Sequence, residues 1–349
     1  MFEPKFTITN KILKNVGVIE ACKEVIENAP LVPAWEAKFR EEAVVRTVHH
    51  GTHIEGNELS LAQAQRVIEG ERVVAKERDV QEVINYRNVI RYIDEEGRKR
   101  EKYTEGELKK LHRLTCERIL EKEKCGRYRQ VRVVIKDSAT GEITFSPPPP
   151  VEVPFQLEAF FGWLNSKKGR EVHPVLRAGI THYELVRIHP FLDGNGRVAR
   201  AMATLVLFRE GYDVKRFFSL EEHYDRDALG YYRALQSVER RGGEMTGWLE
   251  YFTEGLAIEL AKIKEKVRRL SIDLRLKRKA GGQIALSERQ LKLVEYLEEH
   301  GQITMAEATR LIPMVSEDTL LRDLKDLQKK GILVKRGVTK GTRYVLRGR

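Results

Sequence analysis

The chain has 349 residues, 41% apolar and 33% charged, enough for two or three domains with their own cores, and it carries a net charge of +11. Three cysteines, Cys22, Cys116 and Cys125, are too few for a disulfide framework and point to a reducing, cytoplasmic setting. The opening Met1-Phe2-Glu3-Pro4 starts no signal-peptide pattern and no apolar run is long enough to cross a bilayer, so no membrane role is expected.

Residues 1–79 read as a helical N-terminal segment. His49, His50 and His53 invite a metal reading, but no cysteine accompanies them and no His-Glu-x-x-His spacing occurs. They are expected to line a cleft or cap a helix. Just beyond, Gly51-Thr52-His53-Ile54-Glu55-Gly56-Asn57 has the form of a helix end, with Gly56-Asn57 as the stop.

After Gly126-Arg127-Tyr128-Arg129 comes a valine-rich run, 130–135, then a polar stretch, then 142–145. Two β-like runs about a turn containing Ala139-Thr140-Gly141 predict a hairpin. Four prolines, Pro147 to Pro150, end it and make a stiff, extended exit.

The densest chemistry lies at 188–200, Ile-His-Pro-Phe-Leu-Asp-Gly-Asn-Gly-Arg-Val-Ala-Arg, between two apolar helical segments at 178–186 and 201–208. A Gly194-Asn195-Gly196 turn that opens a helix leaves backbone N–H groups at the positive end of the helix dipole, which suits an anion. Arg197 and Arg200, three apart, share one helix face. Asp193 is placed for a hard cation such as Mg²⁺, which takes one or two carboxylates and keeps phosphate and water oxygens. His189 is the natural general base beside it.

Residues 248–276 predict one long helix, and Ala280-Gly281-Gly282 a hinge within a linker at 261–282. Ser287 starts a helix with Leu291, Val294, Tyr296 and Leu297 on its apolar face. Thr304 opens a short second helix. Ser316 opens a third, with Leu320, Leu321, Leu324 and Leu327 inward and Arg322, Lys325 and Lys329 outward. Two alternating runs, 332–335 and 342–346, then flank residues 337–341. Residues 262–349 hold 22 basic and 11 acidic residues, so the whole basic excess of the chain falls there. A basic excess confined to such a segment is an electrostatic footprint for nucleic acid.

The string from His189 to Arg200 resembles the Fic signature, His-x-Phe-x-(Asp/Glu)-Gly-Asn-Gly-Arg-x-x-Arg, at each defined position. The resemblance implies a mostly α Fic core with a β-hairpin flap, at 80–260. It implies AMP transfer from Mg·ATP to a Tyr, Thr or Ser hydroxyl of a target protein, the chain itself included. His189 would deprotonate that hydroxyl, Phe191 would hold the loop from within, and Asp193 would bind Mg²⁺. Gly194, Asn195 and Gly196 would cradle phosphates, Arg197 would face the β-phosphate and Arg200 the γ-phosphate. The hairpin resembles the Fic flap, in which Val133, Val134 and Ile135 would pin the target by strand addition.

The segment around Glu55 is similar to the inhibitory motif (Ser/Thr)-x-x-x-Glu-(Gly/Asn) of many Fic proteins, in which the glutamate pairs with the second motif arginine, here Arg200. The hydroxyl residue falls one place late: Gly51 stands four before Glu55, and Thr52 follows. Residues 283–349 resemble a small α+β winged helix-turn-helix domain, whose partner would be DNA or a protein. Two further functions are weighed against AMP transfer. One is a DNA-binding transcriptional regulator whose Fic core senses nucleotide. The other is a Fic enzyme that moves another phosphate-bearing group or removes AMP. A homodimer stays open.

Overall fold

The computed structural model describes residues 2–29, 31, 33–97, 102–136, 141, 143–275, 286–337 and 342–347. The fold is mostly helical, with two separate two-stranded antiparallel sheets. It forms two compact units, residues 1–23 with 42–261 and residues 24–41 with 262–349. Residues 42–79 of the N-terminal helical segment lie in the same unit as 80–261. The reason is physical: Val45, Val48, Leu59, Ala64 and Val67 are buried, and so short a stretch has no core of its own to bury them in.

The chain begins with α1 (Asn10–Glu27) and α2 (Pro33–His53), each contributing to both units. In the larger unit follow α3 (Leu61–Ile68), α4 (Glu77–Glu96), α5 (Glu105–Cys116), β1 (Ile135–Lys136), β2 (Ile143–Phe145), α6 (Val153–Asn165), α7 (Lys167–Glu171), α8 (Pro174–Ile188), α9 (Asn195–Arg209), α10 (Leu220–Arg226) and α11 (Ala228–Arg240). The long α12 (Thr246–Arg275) matches the helix expected at 248–276 and runs from this unit into the other.

At the centre α8 packs along α9, with α4 and α5 against α9 and α6 against α8. Both central helices are buried on almost every side, and along with their small and apolar residues they bury Arg177, His182 and Glu184 of α8 and Arg197 and Arg200 of α9. Reciprocal capping boxes start α3 (Ser60 with Gln63) and α5 (Thr104 with Glu107). The turn between α8 and α9 is therefore presented from a rigid frame.

The hairpin forms, but shorter than expected. Among the described residues Ile135 pairs with Phe145 and Lys136 with Ile143, across an irregularity. Continuing that register would set residues 131–134 against Pro147, Pro148 and their neighbours. Prolines have no N–H to give a ladder, so pairing stops. Of the expected turn, Gly141 is left-handed (φ 72°), while Ala139 and Thr140 lie outside the described residues.

In the smaller unit, α13 (Glu288–His300), α14 (Met305–Leu311) and α15 (Glu317–Lys329) precede β3 (Leu333–Arg336) and β4 (Arg343–Leu346), which pair in register. Leu293, Val294, Leu297, Leu320, Leu324 and Leu327 make the core; Leu293 was not on the expected apolar face. Ile303 bridges to Tyr344 with backbone bonds of 2.8 and 2.9 Å, joining the start of α14 to the sheet. Ser316 precedes α15 as expected, yet its hydroxyl meets Thr319 Oγ1 at 3.0 Å rather than capping the backbone. Arg322, Lys325 and Lys329 are exposed. The expected hinge at 280–282 and the wing tip at 338–341 lie outside the described residues.

Candidate active site

The site is built at the α8–α9 turn. His189 ends α8 in the left-handed conformation (φ 51°, ψ 58°), which turns the chain sharply out of the helix. Phe191 is fully buried and stacks on His112 of α5, ring centroids 3.8 Å apart and planes 6° from parallel. His112 Nδ1 accepts from Gly126 N–H at 2.7 Å, and its Nε2 donates to the Asp193 carbonyl at 3.0 Å. Burial lowers its pKa to about 4, so it is a neutral, fixed strut beneath the turn.

Gly194 precedes α9 with φ 75°, and a side chain there would also meet Cys116 Sγ. The position therefore demands glycine twice over. Asn195 serves the turn with its side chain. Its amide is spent on the loop itself, Nδ2 donating to the Phe191 carbonyl and Oδ1 accepting from Phe191 N–H, both at 2.9 Å. Its contribution to an anion is left to the backbone. No side chain caps α9, so its first N–H groups remain for an outside acceptor.

Glu55 lies beside this helix start and pairs with Arg200. The carboxylate lies over Gly196, where an added Cβ would collide with it, and accepts from Arg200 Nη2 at 2.8 Å. The same Nη2 also donates to the Gly51 carbonyl at 2.9 Å. Burial raises the Glu55 pKa, but Arg200 and then Arg197 outweigh it, and the carboxyl stays below its ordinary value. Glu55 sits just past the negative end of α2, where a carboxylate is otherwise unfavourable. The Gly51 departure also finds its reason. Tyr86 packs so closely on Gly51 that a Cβ would strike its ring, while the Thr52 hydroxyl turns back to the Val48 and His49 carbonyls at 3.0 Å.

Arg197 and Arg200 are each 2% exposed. Arg197 meets Glu82 Oε1 at 3.2 Å and Asp193 Oδ1 at 3.6 Å. The Nε groups of both arginines are buried with no hydrogen-bond partner among the described residues. Orphaned guanidinium N–H groups beside an uncapped helix start fit a polyphosphate. Asp193, one partly exposed carboxylate at the mouth, fits a magnesium ion that keeps its other oxygens from phosphate and water.

His189 lines a cavity of about 350 Å³. Val134, Ile135 and Phe145 of the hairpin form one wall and Tyr183, Tyr232 and Leu235 the other, with Gly196 and Glu55 at its edge. Val134 and Ile135 thus reach the site; Val133 is not on this wall. The volume and the mainly apolar walls suit a nucleoside-sized ligand. His189 Nδ1 faces the Val186 carbonyl at 3.3 Å, which favours the tautomer with Nε2 free to accept a proton. Burial, and then the Arg129 charge, hold its pKa below the ordinary value, although the Val186 bond, Glu55 and Asp193 pull the other way.

In the sequence Arg129 is only the entry to the hairpin. It is 4% exposed, and its guanidinium donates to the carbonyls of His189 (2.7 Å), Val131 (3.1 Å), Pro148 and Ile188. Its own N–H donates to the Pro190 carbonyl at 2.9 Å. One cation thus ties the hairpin base to the histidine turn. The histidines of α2 also resolve: His50 and His53 both bond Asp225 of α10 through Nδ1, at 2.7 and 2.8 Å, which anchors the last turn of α2 just ahead of Glu55.

A buried α8–α9 helix pair carrying a histidine, a carboxylate and two buried arginines about one turn, faced by a short β-hairpin, defines a Fic fold. The chain carries a Fic domain, and at its C-terminus a DeoR-like helix-turn-helix domain: residues 102–207 match the Fic/DOC family and residues 289–338 the DeoR-like helix-turn-helix domain. The chain is 31% identical over 190 residues to the protein adenylyltransferase Fic of Nematostella vectensis, covering 53% of this chain and 43% of that protein. It is 32% identical over 177 residues to the protein of the same name in Drosophila grimshawi, covering 50% and 35%. The chain thus spans less than half the length of these relatives. In fold it is similar to a Fic family protein from Desulfovibrio desulfuricans G20, with a TM-score of 0.68, 23% identity and coverage of 100% and 99%. Residues 134–508 of Fic-1 from C. elegans give 0.58 and 23%, covering 76% of this chain and 74% of that one.

Proposed function

We propose that this chain transfers AMP from Mg·ATP to a hydroxyl side chain of a protein, its own chain included, and that Glu55 holds the activity off. The carrying observation is the pair of buried arginines with orphaned Nε groups at the uncapped start of α9, one turn from a histidine whose Nε2 is free. In this reading His189 Nε2 takes the hydroxyl proton as the oxygen attacks the α-phosphorus. The bond from that phosphorus to the bridging oxygen breaks, and pyrophosphate leaves. Arg197 and Arg200 hold the β- and γ-phosphates in line. Asp193 would hold a magnesium ion, which would supply charge neutralisation to the phosphates. The aromatic and hairpin walls of the cavity take the nucleoside. Arg129 keeps the hairpin base and His189 in fixed register, so a target segment added to the hairpin edge arrives beside the base.

Support for the donor comes from the relatives' name and from the intact arginine pair. The test is labelling with α-³²P-ATP and, separately, γ-³²P-ATP. Protein label from the α position alone is the expected result. Label from the γ position would overturn the assignment, and release of AMP from pre-labelled protein would add the reverse reaction at the same site.

We also propose that residues 283–349 bind DNA. The helix-turn-helix match, the basic excess of 262–349 and the exposed Arg322, Lys325 and Lys329 on α15 support it. A gel shift whose affinity falls steeply with salt tests it.

A further inference from the structure

Asp193 has more positive company than a half-open carboxylate needs. Oδ1 accepts from Gly194 N–H at 2.6 Å and lies 3.6 Å from Arg197 Nη2, while Oδ2 accepts from Arg78 Nη2 at 2.9 Å. Of these three partners only one can leave. The Gly194 N–H is fixed where the backbone enters α9. Arg197 is buried and held against Glu82. Arg78 reaches in from α4 with a side chain 60% exposed. Its other arm is tethered: Arg78 Nε rests on Glu82 Oε1 at 3.2 Å.

We propose that Arg78 is a resident counter-ion at the cation carboxylate: its guanidinium takes the Asp193 oxygen that a divalent cation needs, and so sets how much cation the site requires. The proposal rests on the reading of Asp193 as the cation ligand. A guanidinium at 2.9 Å and a divalent cation cannot both take Oδ2, because they repel at short range. The exposed partner yields, since exposed ion pairs are weak. Arg78 then swings about its Glu82 tether and stays near the mouth of the site.

Glu82 extends the effect. It is 5% exposed and accepts from Asn57 Nδ2 at 3.1 Å, two residues beyond Glu55. One buried carboxylate therefore steadies Arg78, Arg197 and the inhibitory segment together. The nucleotide-free site is filled at both polarities by its own side chains, Glu55 in the anion's place and Arg78 in the cation's.

The test is titration of ADP into the full-length chain by calorimetry, once with EDTA and once with excess Mn²⁺. The quantity read is the ratio of the metal-loaded to the metal-free affinity. Arg78→Gln should raise this ratio about five-fold over the wild type, the order expected for removing one unit charge a few ångströms from the cation at a solvated site. Arg78→Lys, which keeps the charge but loses the two-armed fork, should fall between. Asp193→Asn should bring the ratio close to one. A ratio in Arg78→Gln at or below the wild type, with Asp193→Asn still collapsing it, overturns the role of Arg78 and leaves Asp193 as the ligand. A wild-type ratio in Asp193→Asn overturns the metal reading itself, and the proposal with it.

Discussion

Replacing Glu55 by glycine should turn a self-occupied site into an open one, and the size of the effect follows from the pair it removes. The Arg200 side chain is 1% exposed and that of Glu55 28%, with 2.8 Å between Nη2 and Oε1. At an effective dielectric of 20, two charges 4 Å apart attract by about 4 kcal/mol. Desolvation of both groups takes back part of that, and charge-assisted bonds of this kind contribute about 1.5–3 kcal/mol net. A γ-phosphate must first displace the carboxylate, so the apparent ATP affinity is reduced by that equilibrium. Its removal should tighten ATP binding by about 10- to 150-fold. Self-labelling from α-³²P-ATP should rise with it.

The same substitution leaves a buried guanidinium without its carboxylate, held by the Gly51 carbonyl and the neighbouring Tyr86 and Tyr231 hydroxyls. The melting temperature without nucleotide should therefore fall, and the rise on adding Mg·ATP should exceed that of the wild type. Glu55→Gln, which keeps the shape and a hydrogen bond but not the charge, should lie between in both respects. Calorimetry and thermal melts on the two variants are the assays. Unchanged ATP affinity and unchanged labelling in Glu55→Gly would refute the inhibitory assignment, and a lowered melting temperature alone would make Glu55 a structural partner of Arg200.

His189→Ala should cost about 10²- to 10⁴-fold in labelling while ATP affinity measured by calorimetry holds, because the ring is assigned to the proton and not to the phosphates. Since His189 must be neutral and its pKa is pushed down, labelling should be level from pH 8 to pH 7 and fall only as the pH drops below the ordinary histidine value of 6.5. Arg129→Gln, by removing a nearby positive charge, should move that acid limb to higher pH; an initial-rate pH profile that stays put would dissociate Arg129 from the base. Arg322→Ala with Lys325→Ala should weaken DNA binding across all sequences and reduce the slope of log affinity against log salt by about two, as gel shifts at several salt concentrations would read.

The residues legible in the sequence are those whose geometry is local. From His189 to Arg200 the chain makes one turn and one helix start, so spacing alone sets which groups converge. The helices of the smaller unit were legible for a similar reason, with caps and leucine spacing visible within each element. What could not be read came from other elements. Arg78 and Glu82, four apart on α4, look like a routine surface ion pair until the fold sets Asp193 and Arg197 beside them. His112 lies 77 residues before its ring partner's neighbour His189 and carries no spacing signal of its own. Arg129 reads as a basic residue before a strand, because bonds to backbone carbonyls leave no mark in sequence. The hairpin shows the reverse failing: valine alternation argues for a strand, and donor-less prolines on the opposite arm cut it short.

Arg200 has two acceptors from one segment, the Glu55 carboxylate and the Gly51 carbonyl, and they do different things. The carboxylate can be pushed aside by a phosphate; the carbonyl, inside the last turns of α2, stays where the His50 and His53 anchors on Asp225 keep it. In the proposed reading, the segment that would block the nucleotide also aims the guanidinium that would receive it. Excising the segment and neutralising its glutamate are therefore different operations: the first leaves Arg200 unaimed, while the second vacates the seat and keeps the aim.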